Sequence, residues 1–587
     1  MNDATGLTAP ILAMTRTPEF EAYLTDLLVR LCRLDTTPNS DVSVMRTAES
    51  AAFDILEAEL ATLAFVDAKR ERRAINPGIV THRNYSQLHF TKTPARPAGL
   101  TPEQAYAGRC NLLYTIPSAR GQALEFAIDA KRQLQIPRPD PASGAALNAH
   151  IDVVHPYFPP RVENGIVYSR GACDDKGGVV ALTAALKVLS QVLPAAGKRL
   201  RDNVVAMFVV EEETGGNGSL SLATDRELKQ LYDSILVLEC TDNVIHPANR
   251  GAVWYRADLK CPGVPLFELF AFLNEEMEKE GRAIKAESRH ALFPQRPVQT
   301  CHGIIGPYGE HPSRICGEVG FRIRFGAAPA DAVKALVQDL IDGALAEYVA
   351  LYGDKTKFMD PVTGKPKVHH HLDVVPEGTA IRVDVHGSTG HMGSILENDG
   401  AITKMAHLVR WFVRSKAKLR DLAKSEVSIE LVKAEDVDLL TLEGGQGFVP
   451  THDITEVMKR MADAAVRGAD AYLRLIGSNA RAADAVHVTY DKLHNAAFDG
   501  DPDSVPMRNA VAAAKACGMW KDQPVSGWTV SCDSRIFATE YPGMPVLTCG
   551  AGRLAHAHAD QEQLKITEMR STVEFLALYM LLQAGTV

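Results

Sequence analysis

The chain has 587 residues, of which 46% are hydrophobic and 23% charged, with a formal net charge of −9. A single hydrophobic core stops growing at roughly 250–300 residues, so this length predicts at least two domains. The acidic balance offers no basic surface for nucleic acid, and no apolar run approaches the roughly 20 residues of a membrane span. No basic segment precedes the apolar residues 10–13, and ten scattered cysteines form no C-x-x-C pair, so we expect a cytoplasmic protein with reduced thiols.

The predicted elements indicate an α/β domain whose sequence is interrupted. Residues 19–31 have helical spacing, and the polar, Pro-rich residues 70–109 are expected to form a surface insertion. Short apolar strands then alternate with helical segments, which is typical of a mainly parallel sheet with helices on both faces. The expected strands are 112–116, 146–150, 204–210, 235–239 and, near the C-terminus, 546–549, with helices at 508–517 and from about 567. We therefore predict one domain from residues 1–251 and 501–587.

The intervening residues 252–500 are expected to form an inserted α+β domain. Its first part predicts one β-α-β-β-α-β unit. The expected elements are strand 253–259, helix 265–279, strands 300–305 and 317–325, helix 331–352 and strand 380–385. A less regular second round follows over residues 401–490, so the insertion is expected to hold one such subdomain or two similar ones.

Four strands of the split domain each lead into residues that commonly bind metal ions. These are His150 and Asp152, then Glu211, Glu212 and Glu213, then Glu239, then His556 and His558, with the turn Asp174-Asp175 between the first two strands. Ligands of open α/β sheets bind at the carboxyl ends of strands, so we expect these side chains to share one crevice.

Two imidazoles and three carboxylates suit a pair of zinc ions, and Co²⁺ or Mn²⁺ fits the same donors. One carboxylate would bridge ions roughly 3.5–4 Å apart, with a shared water as nucleophile. Of two adjacent glutamates, one would bind metal and the other take the proton of that water. Each motif alone also has an interpretation without metal binding. The H-x-D motif could be a polar surface feature, the Glu triplet a solvated turn, and Asp-Asp-Lys-Gly-Gly a helix N-cap.

The ordered motifs resemble those of the co-catalytic zinc peptidases, a family that includes aminoacylase, carboxypeptidase G, succinyl-diaminopimelate desuccinylase, carnosinase and PepV-type dipeptidase. The resemblance rests on His150-Ile151-Asp152-Val153-Val154, Ser169-Arg170-Gly171-Ala172-Cys173-Asp174-Asp175-Lys176-Gly177-Gly178, Glu212-Glu213-Thr214-Gly215, Glu239-Cys240-Thr241 and Ala557-His558-Ala559-Asp560-Gln561-Glu562. It covers the whole split domain.

The resemblance implies a role for each residue of the expected metal centre. His150 and Glu239 would bind one ion, Glu213 and His558 the other, with Asp174 bridging, Glu212 as general base and Asp152 orienting His150. In this family the bridging aspartate lies two residues before the lysine, which selects Asp174 over Asp175. The metal-binding histidine of the family lies four residues before a glutamate, here Glu562, which selects His558 over His556.

In the same family the inserted domain is a lid that brings a histidine to the scissile carbonyl. The stretch from Gly387 to Gly393 resembles that segment, so His391 is expected to stabilise the oxyanion, the alternative being a histidine packed at a lid turn. Arg324, at the end of a lid strand, is the candidate that holds a substrate carboxylate, although the asparagine usual before that strand is not evident in residues 310–314. Because His391 follows a complete β-α-β-β-α-β unit, as in the dipeptidase type, we expect it to act within one chain, in a monomer or homodimer.

The predicted function is hydrolysis of an amide bond in a small dipeptide or N-acyl amino acid, through a metal-bound water activated by Glu212. Hydrolysis of a non-peptide amide, amidine or carbamoyl compound on the same centre is the alternative. A catalytically silent binding protein is a further alternative, which the complete ligand set and the intact Glu212 argue against.

Overall fold

The computed structural model describes residues 5–119, 144–359, 364–394, 398–434, 437–490 and 494–587. The helices, α1 to α15, are Thr5–Thr15, Pro18–Cys32, Val42–Leu60, Pro102–Tyr106, Lys176–Ala195, Asn217–Ala223, Leu266–Glu287, Asp331–Tyr352, Ala401–Arg414, Lys416–Ala423, Ile454–Leu475, Ala482–Ala485, Val505–Cys517, Ser534–Glu540 and Ile566–Ala584. The strands, β1 to β18, are Lys69–Ala74, Cys110–Ile116, Gly144–His150, Arg161–Glu163, Ile166–Tyr168, Asn203–Val209, Ser234–Val237, Gly251–Leu259, Thr300–Ile305, Glu318–Phe325, Leu372–Glu377, Ala380–His386, Val427–Leu431, Leu440–Phe448, Val486–Thr489, His494–Asn495, Val546–Thr548 and Gln563–Lys565.

The main sheet has six strands in the order β1-β2-β6-β3-β7-β17. Strands β6, β3, β7 and β17 are mutually parallel, whereas β1 and β2 add an antiparallel edge. Every residue of β3 is buried, as expected for a parallel strand covered on both faces. The fold is therefore the predicted α/β class with a mainly parallel sheet, and its four parallel strands end on the same side.

Helix α5 is long and apolar enough to cross a membrane, alone among the helices of the described ranges. It packs against strand β3 and against helices α2 and α15, and 78% of its apolar window is buried in the protein. This is the burial of a core helix.

The chain builds two large hydrophobic cores. One contains residues up to Ile245 and again from Met507 onward, and the other contains residues from Ala248 to Val486. The chain passes from the first core to the second between Ile245 and Ala248, and it returns between Val486 and Met507.

The inserted domain holds two antiparallel β-α-β-β-α-β units with strand order 4-1-3-2, and the short strand β16 adds a fifth strand to one of the two sheets by pairing with β8. The outer sheet is β15-β8-β14-β9 and the inner sheet is β13-β10-β12-β11. The inner unit, from β10 to β13, is inserted between the second and third strands of the outer unit. Our grouping of residues 253–385 into one unit was therefore wrong, because β8 and β9 pair with β14, which the sequence did not suggest as a strand.

The residues 70–109, expected on the surface, contribute to the domain at both ends. Strand β1 extends the main sheet by pairing with β2, and Arg109 is almost fully buried. Between them, the Ser86 hydroxyl donates to the Gly215 carbonyl, 3.0 Å away, in the turn that follows β6. The stretch therefore braces the turn that carries the glutamate triplet.

Candidate metal centre and catalytic cavity

The ends of the four parallel strands bring the predicted metal-binding residues together. His150 is the last residue of β3, Glu213 follows β6, Glu239 follows β7 and His558 follows β17. The His558 Nε2 atom lies 3.1 Å from both carboxylate oxygens of Glu213, and His150 Nε2 lies 3.9 Å from Glu239 Oε1. All four side chains are buried. The crevice expected at the carboxyl edge of the sheet is thus formed by these residues.

Asp174 lies between the two histidines. Its Oδ1 is 3.3 Å from His150 Nε2, and its Oδ2 is 3.3 Å from His558 Nε2. Each oxygen faces a different imidazole, which is the arrangement a bridging carboxylate needs. Asp175 occupies the N-cap position of α5 without a side-chain capping hydrogen bond. The geometry therefore singles out Asp174 rather than Asp175 for the cluster.

The three consecutive glutamates have three different surroundings. The Glu211 carboxylate pairs with the buried Arg109 guanidinium and accepts a hydrogen bond from Tyr106. Glu213 turns to His558, whereas Glu212 lines an adjacent cavity and stays partly exposed. Glu212 and Glu213 thus both line the cavity, but only the Glu213 carboxylate is paired with His558.

Asp152 positions this turn through both of its carboxylate oxygens. Oδ1 accepts from the Glu212 amide at 3.1 Å, and Oδ2 accepts from the Glu213 amide at 3.0 Å. Its backbone carbonyl accepts from His150 Nδ1 at 3.0 Å, while its Oδ1 is 3.5 Å from that nitrogen. The expected orienting group for His150 is therefore mainly the carbonyl of Asp152, and its carboxylate holds the two glutamates.

The tautomer of His150 follows from that contact. Because Nδ1 donates to a carbonyl, Nε2 carries the lone pair that points at the carboxylates. This Nε2 is buried and makes no hydrogen bond to any residue within the described ranges. A buried ring nitrogen without a hydrogen-bond partner beside carboxylates is what a metal-binding imidazole presents.

The electrostatics of the cluster also favour bound cations. Burial raises the pKa of Glu213 and raises that of Glu239 well above its usual range. Burial alone would lower the pKa of His558, but Glu213 and Asp174 outweigh it and raise that pKa to about 10. Carboxylates outnumber imidazoles here, so positive charge is scarce. The residues fit two divalent ions in number, donor type and spacing.

Two residues that were not assigned a role in the sequence hold the acidic turn in place. The Glu562 carboxylate accepts from the amides of Cys173 and Asp174, both at 3.2 Å, and pairs with Arg170 at 2.6 Å. Arg170 and Glu562 are both fully buried. The only sequence signal for this pair was its position inside the quoted motifs.

The lid docks onto the loop that carries His558 within the same chain. The Arg314 Nε atom donates to the His558 carbonyl at 2.9 Å, and the Ser313 hydroxyl lies 3.2 Å from His558 Nδ1. The His391 amide donates to the Ala557 carbonyl at 2.9 Å. His391 and His558 have ring centroids 4.5 Å apart. The structure thus brings His391 to the cluster, and adds Ser313 and Arg314, which the sequence did not indicate.

The protonation of His391 can be read from its surroundings. Its Nδ1 accepts a hydrogen bond from the Gly393 amide at 2.9 Å, so the ring proton resides on Nε2. Burial, with a further contribution from His558, lowers the pKa of His391 well below its usual value. His391 is therefore a neutral imidazole that offers an N–H donor.

A small cavity of ≈ 30 Å³ separates the lid from the metal-ligand cluster. Its lining includes Glu212, His391, Arg250 and Trp254. A water molecule needs roughly 10–15 Å³ of such space, so the cavity has room for water but not for a dipeptide. A wider cleft of ≈ 690 Å³, lined by Arg314, lies along the same boundary between lid and catalytic domain.

Arg250 is a buried cation in this cavity that the sequence did not reveal. It is 1% exposed, and its Nη1 donates to the Pro297 carbonyl at 3.1 Å. Its Nε makes no hydrogen bond with the part of the chain that the structure describes. A Cβ atom at Gly447 would lie 2.4 Å from Nη1, so this glycine makes room for the guanidinium. Burial lowers the pKa of Arg250 to about 10, which leaves it charged at neutral pH.

The structure does not bring Arg324 to the cluster. Arg324 lies near the end of β10 in the inner sheet of the lid, where its guanidinium pairs with Glu430 of β13. Arg324 was the candidate for binding a substrate carboxylate because it ended a lid strand. In this conformation its guanidinium is instead paired with a residue of the neighbouring strand.

Comparisons with known proteins agree with this architecture. A model of peptidase family M20/M25/M40 matches residues 146–582. A peptidase M20 domain-containing protein of Schizosaccharomyces pombe is 31% identical over 118 residues, which are 20% of this chain and 27% of that protein. The LysW-lysine/LysW-ornithine hydrolase of Saccharolobus solfataricus is 30% identical over 122 residues, which are 20% of this chain and 31% of the hydrolase. The matched segments thus span less than a third of these curated relatives.

Two solved structures resemble the whole chain. The di-peptidase Dug1p of Saccharomyces cerevisiae has a TM-score of 0.53 at 14% identity, with 99% of this chain and 98% of that one covered. Human carnosine dipeptidase 1 has a TM-score of 0.52 at 13% identity, with 98% and 99% covered. At such identities the likeness shows the shared fold.

Proposed function

Because the chain belongs to peptidase family M20/M25/M40 and is a metal-dependent hydrolase, we propose that it cleaves an amide bond in a small dipeptide or N-acyl amino acid. The observation that supports this most is Asp174, with one carboxylate oxygen facing each of two buried histidines. His150 and Glu239 would hold one zinc ion, and Glu213 and His558 the other. When bound, such ions polarise a carbonyl and lower the pKa of a water molecule.

Glu212 is the general base in this proposal. Its carboxylate faces the cavity while the adjacent Glu213 is committed to His558. Burial, with a further contribution from Asp533, raises the pKa of Glu212 well above its usual value, which favours proton uptake. Glu212 takes one proton from the attacking water while the oxygen of that water bonds to the carbonyl carbon. It then delivers that proton to the nitrogen as the carbon–nitrogen bond breaks.

His391 stabilises the charge that develops on the carbonyl oxygen. A neutral imidazole with its proton on Nε2 donates a hydrogen bond to the oxyanion without a charge that must be neutralised elsewhere. The backbone bond from His391 to Ala557 fixes this ring relative to His558 inside one chain. This supports action in cis and an active monomer, and a homodimer would not be needed for the site.

Arg250 replaces Arg324 as our candidate for the substrate carboxylate. A buried guanidinium without a carboxylate partner is costly, and an anionic group on the substrate would satisfy it. No carboxylate of the described residues forms an ion pair with Arg250, although it lines the same cavity as Glu212 and His391. The substrate carboxylate would therefore lie on the lid side of the scissile bond.

The closed cavity requires the lid to move before a substrate enters. The contacts that hold it closed include the Thr389 hydroxyl bonded to Asp560 at 2.9 Å and the Arg314 Nε atom bonded to the His558 carbonyl at 2.9 Å. The wider cleft beside them marks the boundary along which the two domains would separate. We place the enzyme in the cytoplasm, where a reducing environment would maintain the ten free cysteines.

The proposal is tested with Glu212→Gln and a panel of dipeptides, N-acyl amino acids, ureido compounds and amidines. General-base catalysis contributes about 10²–10⁴-fold, so turnover of the best substrate should fall at least about a hundredfold while the metal content stays unchanged. Wild-type turnover in this variant would remove Glu212 from the mechanism. Hydrolysis confined to ureido or amidine compounds would favour the alternative substrate class, and a zinc-loaded protein inert toward the whole panel would favour a binding role.

A further inference from the structure

A second cluster of metal-binding side chains lies on the surface of the lid, away from the catalytic cavity. The tract Val368-His369-His370-His371-Leu372-Asp373 enters β11, and His386 ends the neighbouring β12. The Nε2 atoms of His370 and His386 lie 3.1 Å and 2.9 Å from one atom, Asp373 Oδ2. The three donor atoms lie within 4.8 Å of one another.

The spacing of these donors suits a transition-metal ion. Ligands at about 2.0–2.1 Å in a tetrahedron are separated by roughly 3.3 Å, close to the two distances at Asp373. The same spacing occurs in the catalytic cluster, where His558 Nε2 lies 3.1 Å from Glu213. The imidazole rings of His370 and His386 are 4.7 Å apart between centroids, so both can face a single ion.

Carboxylates lie around this cluster. Asp373 stands directly opposite Asp384 in the β11–β12 register, and Glu318 stands opposite His386. Arg382 pairs with Asp384 at 3.0 Å, so the carboxylate that both histidines contact is that of Asp373.

The neighbouring histidines of the tract are placed differently. His371 points to the other side, with Nε2 3.1 Å from Asp354 and Nδ1 3.1 Å from Lys404. His369 lines the wider cleft. Only one of the three consecutive histidines therefore belongs to the cluster, which provides a matched control.

We propose that His370, Asp373 and His386 form a third divalent-metal site, for zinc or a similar imidazole-binding ion such as Ni²⁺ or Cu²⁺. With three protein donors, the site leaves a coordination position to water. The ion would join the tract before β11 to the end of β12, five residues before His391. It would thus brace the base of the loop that carries the proposed oxyanion donor.

The test is equilibrium dialysis of the zinc-loaded enzyme against increasing Zn²⁺, with bound metal counted by mass spectrometry. Wild type and His369→Ala should both take up one equivalent beyond the catalytic ions. Loss of a group that merely supports a metal ligand already costs about 10–100-fold in affinity, so His386→Ala and Asp373→Asn should weaken that equivalent at least about tenfold. Both substitutions are on the surface, and a circular dichroism spectrum and thermal unfolding midpoint like those of wild type would show that the variants are folded.

An additional equivalent that is unchanged in both variants, or absent from wild type, would overturn the proposal. Failure of the catalytic assignment is distinguishable, because it would alter the tightly bound ions and leave the weaker equivalent in place. A third equivalent lost equally in His369→Ala would indicate nonspecific binding by the histidine tract and would also overturn the site.

Discussion

Replacing His391 by alanine tests the role of the lid most sharply. The structure gives this residue one free function, an Nε2–H donor in the cavity, because Nδ1 already accepts from Gly393. Removing a single oxyanion donor costs about 10²–10³-fold in kcat, or roughly 2.7–4 kcal/mol of transition-state stabilisation. We therefore expect kcat to fall by that factor, while KM changes little and both metal ions remain bound.

The assay is steady-state hydrolysis of the best substrate, with metal content measured on the same samples. The neighbouring Met392 lines the same cavity, so Met392→Leu serves as a control for repacking and should stay within about tenfold of wild type. A loss of less than about tenfold in His391→Ala, or a loss of metal, would refute the assigned role. Mixing Glu212→Gln with His391→Ala should recover no activity, since each chain uses its own histidine, and recovery would show donation between subunits.

Two further predictions concern buried cations and protons. Arg250→Met should lower kcat/KM for carboxylate substrates by about 10–100-fold, because a hydrogen bond to a charged group contributes about 1.5–3 kcal/mol. The same variant should have little effect on the corresponding amidated substrates. Equal losses on both kinds of substrate would argue against a carboxylate contact. His246 donates to the Ser526 carbonyl, and burial lowers its pKa to about 4. The unfolded chain takes up this proton below about pH 6.5 but the folded protein does not, so stability should fall by up to about 3 kcal/mol as the pH drops from 6.5 to 4. Urea unfolding of His246→Gln should show a flatter pH dependence than wild type and than the exposed variant His487→Gln, and three identical slopes would contradict this.

The strands of the catalytic domain were predictable because each is a short apolar run that ends in a polar ligand type. The topology then brings these ligands together, because parallel strands place their carboxyl ends on one edge of the sheet. His150, Asp174, Glu213, Glu239 and His558 meet there, as the motif order suggested. The local chemistry of Asp152 was only partly predictable, because backbone carbonyls carry no sequence signal.

The division of the lid into units was mispredicted because β14 does not look like a strand. Gly444, Gly445 and Gly447 interrupt it, and glycine is unfavourable in strands. These residues are needed for close approach: a Cβ atom at Gly444 would lie 2.2 Å from the Cys301 carbonyl oxygen. Without β14, the sequence offered no partner for β8 and β9.

The sequence did not distinguish Arg250 from Arg324 for a related reason. Arg324 and Arg250 both adjoin lid strands, and only tertiary contacts distinguish them. Glu430 of the neighbouring strand pairs with Arg324, whereas burial beside Gly447 directs Arg250 into the cavity. Neither partner is close in sequence to the arginine that it affects.

The central claim is that Asp174 joins two metal ions in one centre. Metal content of the purified, zinc-dialysed protein tests it most directly, with Asp174→Asn compared with the isosteric change at the adjacent residue, Asp175→Asn. We predict two tightly bound equivalents in wild type and in Asp175→Asn, in addition to any weaker lid site. In Asp174→Asn we predict the loss of at least one tightly bound equivalent and the loss of hydrolysis. Two tightly bound equivalents in Asp174→Asn, or fewer than two in wild type, would contradict it.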